Sequence, residues 1–286
     1  MKITVLAENS KSEGSDLTSE FGLSLYIEYE GKKYLVDTGS ADAYLKNAEK
    51  LGIDLTDVDV CLISHGHFDH AGGLPEFLKI NSKAPVYMMN TAAEGHFLQQ
   101  KDGSQKYIGI PEGLEQDETG RIQLVDKAME IRSGVTVIPH FTKGLAKIGE
   151  TANMYKKAGA GYAPDDFDHE MSIVFETEKG LVIVSSCSHA GAGNIIHEVA
   201  AKFSGSPVYA FIGGLHMMSL QDKEEVCTVP EPEIERLAGQ FREIGLHEMW
   251  TGHCTGNIAY GLLTKYMGPE QIHHLITGAQ FEIGGR

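Results

Sequence analysis

The chain has 286 residues, 42% of them hydrophobic, which is enough for a sizeable buried core. Lys and Arg number 24 against 40 Asp and Glu, a formal net charge of −16 with neutral histidines, and that balance excludes the basic footprint nucleic acids and anionic membranes require. A small anionic substrate stays open, because a bound dication reverses the field locally.

Four cysteines, Cys61, Cys187, Cys227 and Cys254, stand far apart without a C-x-x-C pair, which fits a reducing compartment better than a disulfide framework. The start, "MKITVLAENSKSEGSD", lacks the apolar core of a signal peptide. No stretch approaches the roughly 18–20 apolar residues of a membrane span. The expectation is a cytoplasmic protein that binds a small molecule, with no nucleic-acid or membrane partner. A homo-oligomer stays open.

In chain order, "KITVLAE" reads as a β-branched strand and "LSLYIEYEGKKYLVDTG" as a hairpin around Glu30-Gly31. "SADAYLKNAEKLGI" has helical spacing at Leu45, Ala48 and Leu51 and a stop at Gly52. "VDVCLISHGHFDHAGGLPEFLKI" gives a short apolar run, a polar cluster, a glycine pair and a helix from Pro75. From about 90 to 168 the pattern weakens and reads as a loop-rich insertion that lids or shapes an active site. Alternation returns in "MSIVFETEKGLVIVSSCSHAGAGNIIHEVAAKF" as strand, turn, strand, polar loop and helix. "PVYAFIGGLHM" is a further strand, "EPEIERLAGQFREIG" a helix, "HEMWTGHCTG" a strand-to-loop step, "NIAYGLLTKYM" a helix and "HHLITGAQFEI" a closing strand. No linker divides the chain. The reading is one α/β domain over 1–286, two sheets packed together with helices outside.

The chemistry concentrates at His65-x-His67-x-Asp69-His70, directly after an apolar run. Neutral imidazole and carboxylate oxygen suit zinc, iron and manganese. Alternate residues of an extended loop point two histidines at one ion, and Asp69-His70 then faces a second. Three later histidines follow one grammar of apolar run, small residues and histidine: His189 in "LVIVSSCSHAGAG", His216 in "YAFIGGLHM" and His253 in "MWTGHCTG". Each is expected just past a strand end, at one sheet edge. For His216, metal ligation and a role as acid or substrate ligand both stay open. Weaker candidates are His169 in Asp168-His169-Glu170 and His140 ending "VTVIPH". His96, His197, His247, His273 and His274 read as surface or structural. Gly191-Ala-Gly193 does not form G-x-G-x-x-G, though a glycine turn there offers backbone N–H groups to an anion.

"SHGHFDHAGGL", preceded by "YLVDTGS", resembles the metallo-β-lactamase superfamily. "VLAEN", "GLSLYIE", "GLVIVSSCSHAGAGNII", "FIGGLHM" and "GHCTG" are similar to its branch of 7,8-dihydropterin-6-methyl-4-(β-D-ribofuranosyl)-aminobenzene-5′-phosphate synthases. The resemblance implies an αββα sandwich of two mixed β-sheets with outer helices and a dinuclear site. Two divalent ions are implied, zinc first, with iron and manganese as alternatives. His65, His67 and His189 would hold one, Asp69, His70 and His253 the other, and Asp37 would support the ligand loop. Two departures stand out. Cys187 occupies the place nearest a bridging aspartate, as thiolate ligand or as inert buried cysteine. Phe21 stands where relatives carry His before Gly-Leu-Ser.

The leading function is a metal-dependent hydrolase in which a metal-bound hydroxide attacks a phosphoester or carbonyl-type centre, with Asp69 and His216 as catalytic residues. The alternative is the branch's condensation with a metal-activated diphosphate leaving group. Phe97, Tyr107, Tyr155 and Tyr162 would be stacking partners for a pterin. A non-catalytic ligand sensor is the second alternative. Diiron flavoprotein relatives carry Glu where this chain has His67, which argues against redox chemistry.

Overall fold

Apolar alternation and glycine-marked turns translate into eighteen strands and seven helices in the computed structural model, among the described residues 1–114, 119–219, 221–222 and 224–284. The first stretch runs β1 (Lys2–Ala7), β2 (Ser24–Tyr29), β3 (Lys32–Val36), α1 (Ala43–Lys50), β4 (Val60–Leu62), α2 (Phe68–Ala71), α3 (Leu74–Ile80) and β5 (Val86–Met89). The middle holds β6 (His96–Gln99), β7 (Gln105–Tyr107), β8 (Ile122–Val125), β9 (Met129–Arg132), β10 (Val135–Pro139), α4 (Leu145–Thr151), β11 (Met154–Ala158) and β12 (Gly161–Pro164). The last part is β13 (Met171–Thr177), β14 (Gly180–Val184), α5 (Ala192–Lys202), β15 (Val208–Ile212), α6 (Glu231–Glu243), β16 (Glu248–Thr251), α7 (Gly256–Met267), β17 (Ile272–His274) and β18 (Gln280–Glu282).

The chain forms two compact units interleaved along the sequence: Met1–Lys127, Phe141–Met171 and the segment from Ile276 make the first, Ala128–His140 and Ser172–Leu275 the second. The first unit holds a seven-stranded sheet in the order β18-β1-β2-β3-β4-β5-β8. Strands β1 to β3 form an antiparallel meander, with Glu30 and Gly31 at positive φ in the expected hairpin turn. From β3 through β4 and β5 to β8 the pairing is parallel, so the carboxyl ends of β3 and β4 lie at one edge. The loops that follow them carry Asp37 and the histidine cluster. Helix α1 buries Tyr44, Asn47 and Ala48 on one face, and α3 starts with Pro75 in its first turn, where a missing N–H costs nothing.

A side chain ends α3 and fixes the entry to β5. Buried Asn81 donates to the carbonyls of Leu55, Thr56 and Val58 and accepts from the amides of Lys83 and Ala84 at 3.0 and 2.8 Å. It thereby pins the 3-10 turn at Leu55–Asp57 that leads into β4.

The stretch from 90 to 168 is not mostly loop. It contributes seven strands, four of which form their own sheet in the order β12-β11-β6-β7 within the first unit. The strands are three to five residues long; β10, buried throughout, is legible as "VTVIP", whereas others, such as β7 and β12, are half or more exposed and carry no apolar period. The closing segment also differs from expectation. A turn at Thr277-Gly278, with Gly278 at φ 89°, splits it into β17, in the second unit's sheet, and β18, in the first's.

The second unit's sheet runs β17-β16-β15-β14-β13-β10-β9. Its strands β14 to β17 are parallel, linked through α5, α6 and α7, and β14 and β13 are fully buried over their apolar runs. Parallel pairing places the residues after β14, β15 and β16 at one edge. Among the described residues, no helix is long and apolar enough to cross a membrane.

Replacing Asn81 with Ala strands up to five backbone groups, so the chain should lose about 2–4 kcal/mol of unfolding free energy. Asn81→Asp, which keeps the acceptors and removes the donors, should fall between, read by urea denaturation.

Candidate metal centre

The first unit's site is built around Asp37, which leaves β3 with φ 60°, a left-handed conformation that Asp tolerates better than most residues. Its carboxylate is wholly buried. Oδ1 accepts the Ser64 amide at 2.7 Å, and Oδ2 accepts the Ser64 hydroxyl and His70 Nδ1, each at 2.8 Å. Since the Ser64 hydroxyl gives its proton to Asp37, it accepts from His65 Nδ1 at 2.8 Å. Both rings are thus held with a proton on Nδ1, which directs the Nε2 lone pair toward coordination. Asp37 both takes the left-handed φ of a turn residue and supports the ligand loop.

The cluster splits as its spacing suggests. His65 and His67 lie on extended chain after β4, with His67 capping α2 at φ −101°, ψ 149°, while Asp69 and His70 occupy α2 itself. The four are buried, and the His65 ring lies 4.7 Å from that of His67 and 4.2 Å from that of His70, centroid to centroid. His70 Nε2 is 3.5 Å from Asp69 Oδ2. Gly72 and Gly73 are required, because a Cβ on either would overlap the carbonyl oxygens of Ser40 and Ala41. Gly22 meets the Asp69 carbonyl in the same way, and Phe21 beside it is part-exposed and stacks on Phe68 at 6.5 Å.

The electrostatics fit a cation. Burial first, then the neighbouring histidines, hold His65 and His67 well below the ordinary histidine range, so both are neutral, the ligand form. Burial pushes His70 down too, but Asp69 and Asp37 outweigh it and raise the ring to about 10. A proton therefore occupies the position that a dication between Asp69 and His70 would take.

Sequence reading missed part of this wall. His96, expected to be surface or structural, is fully buried on β6, and His169 is fully buried before β13. Their rings lie 3.8 Å apart, and the His67 ring is 5.7 Å from His96 and 5.0 Å from His169. Buried Asp165 joins them: His96 Nδ1 is 2.9 Å and His169 Nε2 3.3 Å from its Oδ2. Ligand atoms of His67, His96, Asp165 and His169 all lie within 4.8 Å of one another. "GHFLQ" carries no cue beyond a histidine at a strand start, and its partner is 69 residues away.

In the second unit, His189, His216 and His253 follow β14, β15 and β16, at the one edge the spacing predicted. His189 and His253 are buried, His216 is half-buried, and the His189 and His216 rings are 4.3 Å apart. Ser188, His216 and His253 all have φ between 48° and 57°, a clustering of strained backbone that functional edges often show. Gly213 lets the β15 exit pass the Ser185 carbonyl, which a side chain would strike. Cys187 is buried with its Sγ 3.4 Å from that of Cys254, and the His216 amide donates to Cys254 Sγ at 3.2 Å. Burial raises the Cys254 thiol, but Cys187, His253 and His216 together bring it well below its usual range. Cys187, His253 and Cys254 place ligand atoms within 4.8 Å of one another. Cys254 was not singled out in the sequence, although it adjoins His253.

Two expectations are corrected. His140 does not offer a ligand nitrogen, because Nδ1 pairs with Glu198 at 3.0 Å and Nε2 with Ser172 Oγ at 2.8 Å. Phe97, Tyr107, Tyr155 and Tyr162 share one face of the four-stranded sheet by register, and His96 lies on the other. They are not stacking partners on the histidine side. His197 is exposed, and His247, His273 and His274 stack on Tyr209, Trp250 and Tyr260, in keeping with structural roles.

Comparison with known proteins follows the same lines. The family model for the metallo-beta-lactamase superfamily matches residues 17–152. A 7,8-dihydropterin-6-methyl-4-(beta-D-ribofuranosyl)-aminobenzene-5′-phosphate synthase of Methanocaldococcus jannaschii is 31% identical over 277 residues, covering 90% of this chain and 88% of that protein. The crystal structure of a metal-dependent hydrolase of the beta-lactamase superfamily aligns over all of both chains with 27% identity and a TM-score of 0.77. Zinc-bound PqqB from Methylobacterium extorquens aligns over 99% of this chain and 100% of its own at 10% identity and a TM-score of 0.61, a likeness of fold alone.

Asp37→Asn should weaken zinc binding about 10–100-fold, since it removes the carboxylate that orients His65 and His70; competition with a chromogenic chelator reads this. Because metal uptake must expel the proton from His70, zinc binding at pH 7 should release a proton and tighten as pH rises toward 10. Titration calorimetry in two buffers of different ionisation enthalpy would show equal apparent enthalpies if no proton were released.

Proposed function

Because the chain belongs to the metallo-β-lactamase superfamily and has its fold, we propose that it is a metal-dependent enzyme, with hydrolysis at a phosphoester or carbonyl-type centre as its leading reaction. The observation that supports this most directly is the buried array of His65, His67, Asp69 and His70 clasped by Asp37. Within the first unit these four are the proposed ligands; within the second they are His189 and His253. Two divalent ions, zinc before iron or manganese, are proposed on the basis of the nitrogen-rich donor set. Divalent metals held this way polarise phosphoryl or carbonyl oxygens, lower the pKa of water and stabilise anionic transition states.

The chain's own residues have separable tasks. His65 and His67 supply neutral nitrogens in a dry wall. Asp69, adjacent to His70, orients a nucleophile by accepting its hydrogen bond. His216, half-buried at the strand edge, donates to or binds the substrate's leaving group. The net charge of −16 would not bar a small anionic substrate, because a dication held by these residues would reverse the field locally.

A second reading, condensation of the kind named for the archaeal relative, is favoured by whole-chain identity of 31%. The same electrophilic stabilisation then serves a departing diphosphate rather than attacking water.

The decisive test measures metal content, then turnover on a phosphodiester, lactone and thioester panel and on a dihydropterin diphosphate paired with an aminobenzene ribofuranosyl phosphate. Wild type should hold metal and turn over one class, and the double variant His65→Ala/His67→Ala should lose metal and fall to background. Hydrolysis of the panel supports the first reading, and diphosphate release with a condensed product supports the second. Full metal occupancy with flat activity everywhere would sink the enzyme reading in favour of a ligand sensor.

A further inference from the structure

The buried cluster of His96, Asp165 and His169 has an internal logic that decides what each member can do. Asp165 is fully buried. Its Oδ1 takes the Phe167 amide at 2.8 Å, and its Oδ2 takes His96 Nδ1 at 2.9 Å. His169 Nδ1 accepts the Gly66 amide at 2.9 Å, which places that ring's proton on Nε2, facing Asp165 Oδ2 at 3.3 Å. His169 therefore cannot turn its Nδ1 lone pair to a ligand without stranding the buried Gly66 amide.

His96 is different. With Nδ1 donating to Asp165, the nitrogen left to present a lone pair is Nε2, and that atom is fully buried with no hydrogen-bond partner. A buried polar atom left without a partner is unfavourable, and a ligand on it would remove that penalty. The ring meets that of His67 edge to face at 5.7 Å. Carboxylate, then histidine, then an inward Nε2 is the arrangement that orients imidazole toward a metal. Lys156, opposite His96 in the β6–β11 register, is paired with Asp166 and Asp168 at 2.5 and 2.9 Å.

The backbone supports the same role. The His96 carbonyl accepts the Ile108 amide, the Ile108 carbonyl accepts the Phe68 amide, and His67 bridges to Gly109. The strand bearing His96 is thus hydrogen-bonded to the loop bearing His67. Gly66 between His65 and His67 is hemmed in, because a Cβ there would strike the Ala92 carbonyl oxygen and also lie 3.0 Å from His96 Cδ2.

We propose that His96 is a further metal ligand, binding through Nε2 the ion that His67 carries, with Asp165 and His169 as positioning residues that fix its ring. The inference rests on the metal-dependent reading above. An added imidazole favours zinc, iron(II) or cobalt(II) over magnesium or calcium at that ion.

The test uses the full chain loaded with zinc or cobalt(II) and reads two quantities besides activity: the metal dissociation constant by chelator competition, and the visible spectrum of the cobalt form. His96→Ala and His96→Gln should weaken binding at least about tenfold and change the cobalt spectrum. Asp165→Asn should act in the same direction and less strongly, and exposed His197→Ala should change neither. If His96→Ala does not fold, His96→Gln, which keeps the volume, and Asp165→Asn carry the test. Unchanged affinity and spectrum in folded His96→Gln, with binding lost in His67→Ala, would overturn this inference alone. Unchanged binding in His67→Ala as well would place the failure in the metal reading beneath it.

Discussion

One buried carboxylate governs the first unit's chemistry. Asp37 accepts three hydrogen bonds, and through them it ties the loop after β4 to the end of β3 and sets the proton positions of His65 and His70. Its position comes from parallel pairing of β3 with β4, which brings residues 37 and 64 to one edge. An unpaired carboxylate in such a place would cost several kcal/mol, so the donors around it are a requirement of burial as much as of function. His65, His67 and His70 can lie together because the first two are kept neutral and the third holds its proton between acids on both sides.

The glycines at Gly72 and Gly73 extend the same constraint into packing. They let α2 end and α3 begin against the backbone of residues 40 and 41, with Asp69 and His70 in the single turn of α2. A helix of four residues has little stability of its own. It is kept by amide bonds from Gly72 and by the His70 carbonyl, which takes the amide of Thr38. The second unit reaches a comparable result by a different route, with parallel strands ending in positive-φ residues that turn His216 and His253 off the strand direction.

The departures noted in the sequence now have physical surroundings. Cys187 is one of two close buried thiols, its neighbour Cys254 drawn well below the usual thiol range by that contact and by adjacent histidines. Phe21 forms part-exposed aromatic surface beside Phe68, next to the glycine that crosses the Asp69 carbonyl. Both lie next to proposed ligands.

The amino-acid sequence by itself determined the parts whose cause is local. The H-x-H-x-D-H spacing puts two donors on extended chain and two on a helical turn, and strand-then-small-residue-then-histidine marks the other ligand candidates, because both patterns follow from backbone geometry over a few residues. The supporting role of Asp37 was implied by the resemblance of "YLVDTGS" to the superfamily; locally the residue reads only as a turn-forming acid. Only the tertiary structure decided the rest. His96 and Asp165 are 69 residues apart and Cys187 and Cys254 are 67 apart, so no local period announces either pair. The four-stranded sheet stayed hidden because its short strands are exposed enough to need no apolar alternation. Its register then decided that His96 faces inward while four aromatics face away, a distinction of one residue that hydrogen bonding between strands fixes and composition does not.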